Sequence, residues 1–147
     1  MSTFHFRYPS DRSLVAQVET LLRRVPEIDQ LDPQRRFNLI VATMEAVANA
    51  VEHGNQSDPT KNVEIWVEVN DDAIRVHVRD YGNGFEPTTL PDPRTRENIF
   101  REGGRGVFLM SALVDQVEFV RCKPGTEAII TLYRSHPSTR MHSSSVE

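Results

Sequence analysis

Alternating apolar and polar residues near the amino terminus predict a short strand, in which Phe4, Phe6 and Tyr8 share one side. The period then lengthens to that of a helix, which we expect from Asp11 to about Arg24 with an apolar stripe along one face. Ser10 stands directly before this helix and is expected to cap its first turn. The chain is therefore expected to open with a strand and an amphipathic helix.

A longer helix is predicted from Pro33 to about His53. Asp32 precedes it as a capping residue, a proline suits the first turn, and Gly54 follows as a common carboxyl-terminal residue. On a helical wheel, five apolar residues form a stripe that should face the core: Phe37, Ile40, Met44, Ala48 and Val51.

After this helix the pattern of apolar residues takes the period of strands. Residues 63–69 and 74–78 alternate around a short polar turn, which predicts a β-hairpin. A second hairpin is predicted from Gln116 to Arg121 and from Glu127 to Tyr133, around a turn that contains proline and glycine. These two hairpins and the first strand make about five strands.

The remaining segments complete the prediction of the fold. A long loop from about Tyr81 to Arg105 leads into a helix from Gly106 to about Val114. We expect an α+β fold, a two-layer sandwich with a mixed, mostly antiparallel sheet and about three helices on one face. Residues 1–134 should form one domain, and residues 135–147 should form a disordered polar tail.

Composition and charge narrow the class of protein. The chain has 147 residues, enough for one domain with a sizeable core, and a formal net charge of −4. A net negative charge argues against a strongly basic surface of the kind that binds nucleic acid. With a single cysteine, Cys122, the chain cannot form an internal disulfide. No apolar run approaches a membrane span and no secretory signal is visible, so we expect a cytoplasmic protein.

Three polar residues of the long helix, Glu45, Asn49 and His53, lie four residues apart and therefore on one line along the helix. Small residues stand beyond that line and leave room for another group to approach the helix: Ala42, Ala46 and Ala50. The alternative interpretation is a solvated polar edge beside an alanine face that packs on another element.

A second candidate site is the segment Asp80-Tyr81-Gly82-Asn83-Gly84, which directly follows a predicted strand. A carboxylate at a strand end can accept a hydrogen bond from a ligand amine, and the glycines allow the backbone to approach closely. The alternative interpretation is an ordinary turn, since Asp and Gly also suit turn geometry.

A third candidate is the glycine cluster Gly103-Gly104-Arg105-Gly106, which opens the last predicted helix. Amide hydrogens at a helix amino terminus can bind an anion, so the cluster is a candidate phosphate site. The alternative is a flexible hinge, because the cluster matches neither the Walker nor the dinucleotide fingerprint.

The order and spacing of these three motifs resemble those of the GHKL ATP-binding superfamily, and within it the bacterial anti-sigma factor serine kinases. The resemblance runs from Phe4 to Tyr133 and includes the segment from Gly104 to Met110. It implies ATP and Mg²⁺ as cofactors. It also implies that Asn49 coordinates the metal ion and that Glu45 is the candidate base for the attacking hydroxyl.

The resemblance assigns the nucleotide contacts as well. Asp80 would accept a hydrogen bond from the adenine amine, and Gly82 and Gly84 would border the base. His53 and Asn55 are placed at the phosphate end of the pocket. Gly104, Arg105 and Gly106 would wrap the phosphates, with Gly103 as a hinge and Val107 as a further nucleotide-binding residue. Residues 86–102 would form a lid over the nucleotide. Either Arg101 or Arg105 would reach the γ-phosphate.

The activity implied by the resemblance is that of a protein-serine kinase that sequesters a sigma factor. Its substrate would be a serine or threonine hydroxyl of a small antagonist protein, and the kinase would be a homodimer. Three alternatives stay open at this point. The chain could be a non-catalytic binding module, the ATP-binding half of a histidine kinase or chaperone-type ATPase, or a plain α+β interaction domain.

Overall fold

The computed structural model describes residues 2–82 and 104–134, with the side chains of residues 104–107 left out of that description. Strands and helices follow one another along these two ranges, and their bounds are β1 (Ser2–Pro9), α1 (Ser13–Leu22), α2 (Pro26–Asp29), α3 (Pro33–Asn49), β2 (Asn62–Val69), β3 (Ala73–Arg79), α4 (Gly104–Leu113), β4 (Gln116–Arg121) and β5 (Thr126–Tyr133). A single π-helical turn, Ala50–Gly54, continues α3. The predicted tail at 135–147 lies outside the described residues and stays a prediction.

The five strands form one sheet in the order β1-β2-β3-β5-β4, and every pairing described is antiparallel. Both predicted hairpins are confirmed, since β2 pairs with β3 and β4 pairs with β5. β5 lies between β3 and the edge strand β4, which brings the start of β5 beside the end of β3. This α+β sheet with helices confirms the predicted fold class.

One side of the sheet forms the core. Alternate residues of the inner strands are buried there, among them Ile65, Val76 and Ile130, each at most 1% exposed. α3 packs against α1, α4 and strands β3 and β5, so the helices cover this side. The opposite side carries mainly polar and charged residues, and we call it the open face. None of the helices formed by residues 2–82 and 104–134 has the length and apolar character that crossing a bilayer requires.

The helix starts are set by short polar side chains. Asp32 caps α3 as predicted, because its carboxylate accepts a hydrogen bond from the N–H of Arg35 at 3.0 Å. The predicted cap of α1 is wrong. Asp11, not Ser10, accepts a hydrogen bond from the first turn, from the N–H of Ser13 at 2.8 Å. Ser10 is instead buried and its hydroxyl donates to the carbonyl of Lys61 at 2.7 Å.

The face of α3 that meets the core contains part of the predicted stripe, since Ile40 and Val51 are buried, but it extends beyond that stripe. Phe37 is 60% exposed, whereas Ala42 and Ala46 are at most 3% exposed and face the core. α3 is covered by α1, by the sheet and by α4, so its buried arc is wide and rotated toward the alanines. Their small side chains allow close packing with these neighbours, and the space predicted beside them is filled by the core.

Candidate functional site

Asp80 lies directly after β3 and is held by the first residues of β5. Its N–H donates to the carbonyl of Thr126 at 3.0 Å. Its Oδ1 accepts hydrogen bonds from the N–H groups of Gly82 and Thr126, at 3.1 and 3.2 Å. Both of these hydrogen bonds go to Oδ1, and none from the described groups of residues 2–82 and 108–134 reaches Oδ2.

The carboxylate of Asp80 is nearly enclosed, with the residue only 6% exposed. Burial raises the pKa of Asp80 from 3.8 to about 6, although the hydrogen bonds from Gly82 and Thr126 pull it in the other direction. At neutral pH the group is therefore ionised and poorly hydrated. A buried anionic acceptor of this kind attracts a ligand donor strongly, because little water competes for it.

Three glycines close around Asp80. A Cβ at Gly54 would lie 2.1 Å from Asp80 Oδ2, and a Cβ at Gly82 would lie 1.6 Å from the carbonyl oxygen of Gly54. Gly125 has φ of +96°, and a Cβ there would lie 2.0 Å from the backbone oxygen of Asp80. We call Asp80 and these glycines the Asp80 cage. Of the three glycines, only Gly82 was among the predicted site residues. The Lys-Pro-Gly turn is the signal in the sequence that points to the positive φ of Gly125.

Asn55 joins the segments that surround the cage. Its Nδ2 donates to Ser10 Oγ at 2.6 Å and to the carbonyl of Asn62 at 2.9 Å. Its Oδ1 accepts from the N–H of Tyr81 at 2.8 Å, and the residue is 1% exposed. Both amide hydrogens are thus used within the protein, so Asn55 links parts of the fold where the sequence suggested a phosphate contact.

The predicted polar line on α3 leads toward the same corner. Glu45 and Asn49 are half-buried, and one helical turn, about 6 Å of axial rise, separates them. The π-helical turn begins directly after Asn49 and ends at Gly54, which contacts Asp80. A π-turn is a frequent feature of functional sites. His53 lies in this turn and is exposed.

The side-chain amide of Asn49 offers an oxygen donor, which is the donor type that Mg²⁺ prefers. Within the described part of the chain no group of three or more His, Cys, Asp or Glu residues could hold a metal ion. Mg²⁺ usually takes only one or two protein ligands and completes its shell with water and substrate phosphates. The residues present therefore fit a nucleotide-bound Mg²⁺.

Gly104 and Gly106 of the glycine cluster lie at the start of α4. This helix begins at Gly104, two residues earlier than predicted, and runs through the segment that carries Arg105, Gly106 and Val107. Met110 is fully buried and anchors α4, which packs against α3. The helix amino terminus thus belongs to an element that packs against α3, the helix that carries Glu45 and Asn49. The remaining predicted residues lie outside the described ranges: Gly84, Arg101, Gly103 and the lid at 86–102.

Comparisons with known proteins show which family the chain resembles in sequence and fold. Residues 8–132 match the model of the histidine kinase-like ATPase domain. The chain is 30% identical over 114 residues to the serine-protein kinase RsbW of Staphylococcus aureus, across 73% of this chain and 71% of that protein. The chain is 29% identical to the serine-protein kinase RsbW from Staphylococcus aureus strain MSSA476, again over 114 residues that make up 73% of this chain and 71% of that protein. Among solved structures, the RsbU and RsbW domains of Rv1364c from Mycobacterium tuberculosis match with a TM-score of 0.65 and 21% identity, over 90% of this chain and 32% of that one.

Proposed function

We propose, from the premise that this chain belongs to the histidine kinase-like ATPase family, that it is an ATP-dependent protein-serine kinase of the anti-sigma type. The observation that carries the proposal is the Asp80 cage, in which a buried carboxylate keeps one oxygen free of hydrogen bonds from the described residues. The similarity to RsbW supports the choice of a serine hydroxyl as the group that is phosphorylated.

Asp80 is proposed to select adenine. Its free Oδ2 would accept a hydrogen bond from the exocyclic amine of the base, while guanine presents a carbonyl oxygen at the corresponding position. Two acceptors facing each other in a poorly hydrated site repel, so guanine is disfavoured. Gly82 is proposed to border the base, at a position where a side chain would also collide with the carbonyl of Gly54. Gly84 is proposed to do the same.

The phosphates are proposed to lie between α3 and the start of α4. Asn49 would hold Mg²⁺ through its side-chain oxygen, and the ion would neutralise charge on the phosphate oxygens. Backbone N–H groups of the segment from Gly104 to Val107 would bind the phosphates at a helix amino terminus. Gly103, His53 and either Arg101 or Arg105 are proposed to complete this end of the site.

Glu45 is proposed to orient the substrate hydroxyl and to accept its proton. The hydroxyl oxygen bonds to the γ-phosphorus as the bond to the β–γ bridging oxygen breaks, and ADP leaves. Because the transition state of such a transfer is loose, the protein mainly positions the groups and neutralises charge.

The proposed partners follow from the same similarity. The substrate would be a small antagonist protein, and the added phosphate of about two negative charges would weaken its contact with the kinase. The kinase would then be free to bind a sigma factor in the cytoplasm. A homodimer is proposed as the assembly.

Calorimetric titration with Mg-ATP and Mg-GTP tests the nucleotide site, with Asp80→Asn and Asn49→Ala as variants. The proposal expects ATP binding, little GTP binding and weaker ATP binding by both variants.

Transfer of labelled phosphate to an antagonist protein that co-purifies with the chain tests the kinase step. Glu45→Gln should bind Mg-ATP normally and lose transfer; equal transfer by this variant would remove Glu45 from the mechanism. An ATP-binding wild type that transfers nothing would be a binding module.

A further inference from the structure

Tyr81, the residue after Asp80, is held from three directions. Its N–H donates to Asn55 Oδ1 at 2.8 Å, and its hydroxyl donates to Glu64 Oε1. The guanidinium carbon of Arg79 lies 4.5 Å from the centre of its ring, which is a cation–π contact. A residue next to the site is therefore fixed by groups that do not belong to the cage.

Glu64 is the anchor of this arrangement. It lies on β2 on the open face and is only 8% exposed. Its Oε2 accepts from His5 Nε2 at 2.7 Å and lies 3.5 Å from Arg7 Nη2, while Oε1 accepts from Tyr81. The hydrogen bond from Tyr81, together with His5 and Arg7, holds the pKa of Glu64 below its ordinary value despite burial. Glu64 is thus an ionised acceptor, fixed by donors from β1 and by Tyr81 in the segment after β3.

Because side chains alternate in direction along an extended chain, the contact between Glu64 and Tyr81 also affects the direction of the Asp80 side chain. Arg79 pairs with Glu64 across β2 and β3, so both side chains lie on the open face. In extended chain, successive side chains point to opposite sides. Holding Tyr81 on the side of Arg79 therefore turns Asp80 toward the helices, where Gly54 lies.

We infer that Glu64 and Tyr81 are positioning residues for nucleotide binding, which fix the direction in which Asp80 presents Oδ2 to the base. This inference rests on the proposed function, because it assumes that Asp80 meets adenine. Neither residue touches the nucleotide. They act through the peptide between Asp80 and Tyr81.

The sharpest test compares ATP with purine riboside triphosphate, which lacks the exocyclic amine. Wild type should bind ATP more tightly than the analogue. Tyr81→Phe keeps the ring, the Arg79 contact and the backbone hydrogen bond, and removes only the hydroxyl. It should weaken Mg-ATP binding about fivefold, the scale of one hydrogen bond, and leave binding of the analogue within about twofold of wild type.

Variants of Glu64 provide a rescue arm. Glu64→Gln keeps an oxygen that accepts from Tyr81 and should preserve the wild-type ratio of the two affinities. Glu64→Leu removes the acceptor and should lower the ratio as Tyr81→Phe does. Tyr8→Phe is the matched control, since Tyr8 pairs with Val63 and lies on the opposite side of the sheet from Glu64.

The outcomes are distinguishable. If Tyr81→Phe weakens ATP and the analogue equally, or weakens neither, the inference is wrong and the pair only stabilises the sheet. If wild type binds neither nucleotide, the proposed function fails. If wild type binds both equally, Asp80 does not read the amine, and the inference fails with that contact while phosphate binding stands.

Discussion

At the scale of the residue, Asp80 is buried, although its proposed role as a hydrogen-bond acceptor requires an ionised carboxylate. Burial raises the pKa of Asp80 from 3.8 to about 6, so ionising it in the folded protein costs roughly 3 kcal/mol, at about 1.4 kcal/mol per pH unit. At pH values between 3.8 and about 6, the folded protein therefore holds a proton on Asp80 more often than the unfolded chain does. The contribution of Asp80 to the free energy of unfolding is therefore fully favourable below pH 3.8 and is lost as the pH rises through about 6.

This cost predicts opposite effects of Asp80→Asn on stability and on binding. The amide keeps an Oδ1 acceptor for Gly82 and Thr126 and carries no charge to bury. At pH 7.5 the variant should be as stable as wild type or more stable, by up to roughly 3 kcal/mol, while ATP affinity falls at least about tenfold. Urea unfolding at pH 4.5 and 7.5 measures the first effect and calorimetry the second. A variant less stable than wild type at pH 7.5 would contradict this account.

Gly54 tests the tightness of the cage. Gly54→Ala places a methyl group 2.1 Å from the present position of Asp80 Oδ2, so the carboxylate must move. We expect a loss of about 1–3 kcal/mol in the free energy of unfolding and at least about tenfold weaker ATP binding. In an Asp80→Ala background the same substitution should cost much less stability. An equal cost in both backgrounds would show that the crowding does not come from Asp80.

At the scale of the element, the pattern of the sequence predicted what depends on local periodicity. The two hairpins and the Asp32 cap are confirmed, because alternation and capping are decided within a few residues. The predicted stripe of α3 was right at Ile40 and Val51 and wrong at Phe37, and it missed the buried alanines because a helical wheel does not contain the neighbours that pack against the helix. Asp80 was found by its place after a strand. Gly125 and Thr126 were missed as partners of Asp80 because they join it through the β3–β5 pairing, 45 or more residues away.

Substitution of Asn55 measures how much its hydrogen bonds between separate segments contribute to the free energy of unfolding. Asn55→Ala leaves Ser10, Asn62 and the N–H of Tyr81 without their buried partner. We expect it to lower the free energy of unfolding by about 2–4 kcal/mol in urea, with weaker ATP binding. Asn38→Ala, which removes an exposed side-chain hydrogen bond with Gln34 on α3, is the matched control and should cost at most about 0.5 kcal/mol. Similar costs for the two variants would mean that Asn55 does not hold these segments together.

At the scale of the whole molecule, nucleotide binding should stabilise the fold, because the proposed site draws on α3, the end of β3, the start of β5 and α4. A ligand at 100 times its dissociation constant stabilises the folded state by about 2.7 kcal/mol. Mg-ATP should then raise the Tm by roughly 5–15 °C, and Mg-GTP should raise it much less. The shift should be small for Asp80→Asn. Equal shifts with both nucleotides would show that the base is not recognised.

The Asp80 cage also constrains how the sequence can change over evolutionary time. Gly54, Gly82 and Gly125 come from three separate segments, and each leaves no space for a side chain while Asp80 and its neighbours stay where they are. A replacement at one of these four positions is harmful until another position has also changed. This corner of the protein should therefore diverge slowly and in coordinated steps.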